Sequence, residues 1–197
     1  MAVEIVLPRR TRVTIREVSR ARSLAPSFGG GPESMIQRLG TRSAMSIDIP
    51  PVSSGACGPA LIADLLRART EGALVRIPEP KLPEKDYGTS LIAGSGQTGS
   101  NLVVGGVPAG TVVPKGKWLS VIIAGRRYAY VITAAATSDG GALVTLPIWP
   151  MIRRSPPHLA VVELAAPKME GFVQGVVERD VQSIGAISVA FTITERE

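Results

Sequence analysis

The stretch closest to a known chemical motif is Gly94-Ser95-Gly96-Gln97-Thr98-Gly99-Ser100. Its glycine spacing fits a phosphate-binding loop, where backbone N–H groups cradle phosphate oxygens and a lysine faces the β- and γ-phosphates. Ser100 stands where that lysine belongs, and no helical pattern follows. A turn joining two strands is the simpler reading. His158 is the single histidine and sits in Ser155-Pro156-Pro157-His158. A serine relay would need it, yet no nucleophile-elbow pattern occurs, so it reads as a loop histidine. Cys57 is the single cysteine, just ahead of a helical pattern. A thiolate there would gain from the helix N-terminus and could use His158 as its base. With no third group to orient that pair, a small apolar residue at the helix start is the plainer expectation.

The carboxylates Asp48, Asp64, Glu71, Glu163, Glu170, Glu178 and Asp180 are scattered. Glu178 and Asp180 fall two apart on a strand, so they share a face that would suit a metal or a solvated edge. Trp118 and Trp149 would make either a sugar-stacking platform or part of a core. One histidine and one cysteine cannot make a structural zinc site, and one thiol cannot make an internal disulfide. These residues point to a protein that is not an enzyme and takes neither cofactor nor metal.

The elements that must position these residues are mostly strands. Among 197 residues, 45% are hydrophobic, while 21 glycines and 16 prolines are spread without a period. That pattern suits many short strands and tight turns around a real core. Residues 11–18 and 44–49 alternate, with Pro50-Pro51 expected to end the second strand. A helix is predicted over about 59–70, its stripe made by Leu61, Ile62, Leu65 and Leu66, and Gly72 closes it. Strand 73–77 follows. Residues 21–34 read as a Gly/Pro/Ser loop around Gly29–Gly31.

After residue 87 the texture changes to short strands at 89–93, 101–104, 118–123, 126–133, 142–148 and 159–164. Asp139-Gly140-Gly141 gives a hairpin-like signal between the flanking strands. Longer alternation returns over 172–177 and 186–195, where Ile187, Val189, Phe191 and Ile193 point one way. The chain is thus expected to be mainly β with one helix: a host β domain from 1–80 plus 170–197, and a small β-barrel or sandwich inserted at 87–167.

The net charge is +6, and Arg9, Arg10, Arg12, Arg16, Arg20 and Arg22 crowd the start. Such a bias suits nucleic acid, a solvated face or an acidic neighbouring subunit, but no aromatic lies there for base stacking. No signal-peptide pattern occurs, and no apolar run approaches the roughly 18 residues of a membrane helix. A soluble protein made in a cytoplasm is expected.

The order of parts carries a resemblance. IDIPP, LIADLLRAR and ALVRIP are followed by YGTSLIAGSGQTGSNLVV, the KGKW step at 115–118 and the exit WPMIRRSPP at 149–157. This resembles the tail-tip proteins of long-tailed bacteriophages, particularly the distal tail protein. The resemblance implies a tail-tube-like β-sandwich domain with an inserted β domain, in a hexameric ring within the virion. The partners it implies are further copies of the chain, the tail tube protein and the baseplate hub proteins, with DNA only as cargo passing through the lumen and no membrane. A tail-tube subunit or a virion carbohydrate-binding module is the alternative. Candidate ring surfaces are Ile187, Val189, Phe191 and Ile193 on the last strand, and Arg20, Arg22, Phe28, Gly29 and Gly30 in the basic, glycine-rich segment.

Overall fold

Met45-Ile47-Ile49 and Ile187-Val189-Phe191-Ile193 each place an apolar side chain at every second position, so each strand has one face to bury. The computed structural model describes residues 2–19, 22–24, 34–36, 40–53, 57–80, 82, 85–182 and 186–196. In it, β5 (Arg42–Ser53) and β16 (Ala186–Glu195) are antiparallel neighbours, with Ile47 opposite Phe191 and Met45 opposite Ile193. They belong to a six-stranded sheet in the order β1 (Val3–Ile5), β6 (Ala73–Arg76), β15 (Lys168–Gln182), β16, β5, β2 (Arg12–Val18). Only β1 and β6 run parallel, and helix α1 (Cys57–Glu71) lies between β5 and β6 in the chain.

That helix covers the apolar face of the sheet. Leu65 and Ala68 are buried and Leu61 and Ile62 pack beside them, whereas Leu66 is 57% exposed. The stripe therefore continues from Leu65 to Ala68 by helical spacing and not to Leu66, which is turned about 100° away from Leu65. Gly72 ends the helix at φ 98, donating its N–H to the Ala68 carbonyl at 2.9 Å. This is the left-handed closure that glycine makes without strain.

Pro50-Pro51 does not end β5, contrary to expectation. Ile49 lies opposite Val189 and Val52 opposite Ile187, so the two prolines share the place facing Ser188. They occupy a bulge, where a missing N–H costs no ladder bond. The loop expected over 21–34 is also partly strand: β3 (Arg22–Leu24) pairs antiparallel with β4 (Ser34–Ile36).

Eight further strands lie between β6 and β15: β7 (Leu91–Ile92), β8 (Asn101–Gly105), β9 (Val112–Val113), β10 (Trp118–Ile123), β11 (Arg126–Ile132), β12 (Ala136–Thr137), β13 (Leu143–Trp149) and β14 (Val162–Glu163). Six form a second sheet in the order β14-β10-β11-β13-β8-β7. Leu91 lies opposite Val161, Ile92 N–H donates to Ala160 at 2.9 Å, and Val162 N–H donates to Ser90 at 2.9 Å. These bonds join the ends of the sheet into a small barrel. Its interior is filled by side chains, Tyr87, Leu119, Tyr130, Ile132 and Leu146 among them.

Ala124-Gly125, both at positive φ, make the tight turn from β10 to β11. The Asp139 signal does not make a simple hairpin between long strands. Asp139 Oδ1 accepts from Gly141 and Leu143 N–H, holding a turn between β12 and β13. β13 pairs with β11 only at Val131–Trp149 and Ile132–Ile148, because its other residues pair with β8.

Candidate functional site

The glycine-rich stretch is a turn between β7 and β8. Gln97 fills it: Nε2 donates to Ala93 at 2.8 Å and Val103 at 3.1 Å, while Oε1 accepts from Val103 N–H at 2.7 Å. Gly94 N–H, a donor that a phosphate cradle would aim at its ligand, goes to His158 Nδ1 at 3.0 Å. His158 thus braces this turn from the far side of the barrel seam. Cys57 begins α1, and Glu178 and Asp180 lie on β15, but these three side chains are outside the described atoms. Among the described residues, no group of three or more His, Cys, Asp or Glu is placed to hold a metal. No described helix is long and apolar enough to cross a membrane.

Trp118 and Trp149 do come together. Each lies opposite Val131, from β10 and β13 respectively, so the three form a row on the barrel exterior. Both rings are half-buried, and Trp118 packs against the core of the first sheet. That ring is committed to packing between the barrel and the sheet.

The proposed ring surface on the last strand needs correction. Ile187, Val189, Phe191 and Ile193 are 9%, 2%, 4% and 0% exposed, packed in the core beneath α1. Their strand is also hydrogen-bonded on both sides, by β15 and β5, and so has no free edge. Alternation marked these residues as one face, and that face is satisfied within the chain. Arg20, Phe28, Gly29 and Gly30 lie outside the described residues; Arg22 opens β3, its side chain also outside them.

The densest polar chemistry is where the barrel meets the first sheet. β13 pairs with β11 only at Val131 and Ile132, which leaves the N–H groups of Arg127 and Ala129, earlier in β11 and facing away from β10, without strand partners among the described residues. Two carboxylates take them: Glu170 accepts from Arg127 N–H at 3.1 Å, and Glu195 from Ala129 N–H at 2.7 Å. Glu195 is fully buried, accepts a second bond from Ser43 N–H at 3.1 Å, and pairs with Arg153. The Arg153 guanidinium also lies over the rings of Tyr128 and Tyr130, 5.4 and 5.5 Å from their centroids.

Burial alone would lower the Arg153 pKa, but the Glu195 carboxylate, with Tyr130 adding to it, raises it above its ordinary value. Tyr130 is raised by burial, with the Arg153 charge opposing. A second buried pair lies nearby: Lys117 Nζ meets Glu79 at 2.5 Å, and the other Glu79 oxygen accepts from Trp118 N–H at 2.7 Å. Neither pair was legible in the sequence. Glu79 and Lys117 are 38 positions apart, Arg153 and Glu195 are 42, and no local pattern encodes such a pairing.

An open cleft of about 580 Å³ adjoins this region, lined by Glu4–Leu7 along β1 and beyond it, by Arg76, Pro78 and Glu79, and by Ala166 and Lys168. Lys168 Nζ pairs with Glu4 at 2.8 Å on its wall, so the cleft presents balanced charge over an apolar floor. No protein-family model matches the chain, and no curated protein matches it closely enough to show kinship.

Proposed function

We propose that the chain is a structural subunit of a phage tail tip, assembling into a hexameric ring that joins the tail tube to the baseplate hub. The order of sequence parts suggests it. The observation that carries it is the first sheet, which is open among the described residues: its outer strands there are β1 and the seven-residue β2. Backbone groups along a free edge of that length are a template for another chain, and a ring of copies consumes such edges. The face of the sheet away from α1 is mostly polar, with Phe172 and Ala44 in one of its rows. Thr14, Ser46, Thr192 and Gln174 lie in register across four strands, and Arg12 and Asp48 face each other in the next row. Such a face suits the wall of a hydrated lumen through which DNA passes.

In this reading the protein performs no turnover, its partners are its own copies, the tail tube protein and hub proteins, and its place is the virion. A tube subunit would use the same edge and face. The sugar-binding alternative loses support, because Trp118 is taken up in packing. Electron microscopy with size measurement of the purified chain tests the proposal. Rings or short tubes are expected; a monomer at every concentration overturns it.

A further inference from the structure

The barrel and the first sheet each bury a core of their own. The buried barrel core lies wholly within residues 87–164, and the sheet core within 3–77 and 169–193 except for Ala129. Ala129 and the half-buried Trp118 are the barrel side chains that join the sheet core. Around them the joint is polar, with the cations on the barrel and the carboxylates on the sheet side, and one bond running the other way, from Lys168 N–H to Ser120 Oγ at 3.1 Å. The barrel supplies Lys117, Arg153 and the N–H groups of Trp118, Arg127 and Ala129. Glu79, Glu170 and Glu195 receive them.

The fit is also incomplete. Nε and Nη1 of Arg153 and Oη of Tyr130 are buried without a hydrogen bond of normal geometry. Water would satisfy these donors, and the charged groups around them, if the barrel moved off. A joint of this kind between two self-sufficient cores favours relative motion over a permanent seal. The two connections leave the sheet side by side, tied by Ile77 N–H to the Pro167 carbonyl at 2.9 Å, which gives a single pivot.

We infer that the barrel is a releasable module that swings off the sheet about this pivot, with the Arg153–Glu195 pair as its latch. Release uncovers the donors of Arg127 and Ala129, so the carboxylates also act as caps on a strand edge that the docked state hides. The inference stands whether the chain works as a ring or alone.

Hydrogen exchange on the whole chain tests it. Glu195→Gln keeps an acceptor for Ala129 but removes the charge that holds Arg153. The Arg127 and Ala129 amides should then exchange about ten- to a hundredfold faster, as expected for a weakened buried pair. The amides of Ile132 and Ile148 in the barrel and of Phe191 in the sheet should keep their rates, and the radius of gyration should rise. In the unmodified protein, the Arg127 and Ala129 amides should exchange through an opening less sensitive to urea than that of Ile148 and Phe191. This second measurement decides the matter if the variant does not fold. Unchanged rates at Arg127 and Ala129, or one common urea dependence for all these amides, would overturn the inference.

Discussion

Tyr87 and Tyr130 are each 1% exposed, and burial raises the pKa of both; the Glu79 charge adds to the rise at Tyr87, and the Arg153 charge opposes it at Tyr130. A tyrosine in the unfolded chain titrates at about 10. Above that pH the unfolded state sheds protons that the folded state keeps, so stability falls as pH rises. Below it these groups contribute no pH dependence. Thermal melts should therefore be flat in this respect up to about pH 10 and decline beyond it. Tyr130→Phe should flatten that decline, and tyrosinate absorbance of the native protein should lag behind that of the denatured chain. Coincident titration of native and denatured protein would refute the account.

The same residues show where sequence reading stops. Tyr130 lies in a run that announces a strand, but nothing local to Arg153, after a Trp-Pro step, or to Glu195, at a strand end, encodes their burial. Only the tertiary approach of β11 to the sheet makes them a buried pair.

At the level of elements, periodicity was a good guide wherever one face was to be buried. β16 spans Ala186–Glu195, matching the alternation that marked it, and β10 spans Trp118–Ile123, the run expected as a short strand between turns. It misjudged places where tertiary pairing overrides local chemistry. The prolines of β5 are absorbed by a bulge, and β1, too short to show a period, is held by parallel pairing to β6.

The helix shows how finely the face is set. Leu65 and Leu66 are adjacent and of one type, yet the first is 1% exposed and the second 57%. Leu65→Ala should cost about 2–5 kcal/mol, since it empties a site between α1 and the sheet. Leu66→Ala should stay within about 0.5 kcal/mol. Urea unfolding of both variants measures the difference; equal losses would mean that the helix is seated differently on the sheet.

For the whole molecule, the change of texture near residue 87 coincides with the passage from one sheet to the other, because short, closely punctuated strands close into a small barrel while long alternating ones spread into an open sheet. The open sheet is what any assembly of this chain has to answer. An edge as long as β2, unpaired among the described residues, is a liability unless it is covered, and the ring reading covers it with a neighbour. Successive backbone N–H groups on a strand point alternately to its two sides, so a proline scan along Val13–Glu17 separates two roles. At one set of alternating positions, proline removes an N–H that serves the ladder to β5, and the melting temperature should fall. At the other set it removes an N–H pointing away from β5, and the fold should survive with little loss. If the outward edge carries assembly, this second set keeps its melting temperature yet abolishes rings in electron micrographs. If ring formation instead tracks the melting temperature at every position, the edge takes no direct part, and the contact between copies must be sought on another surface.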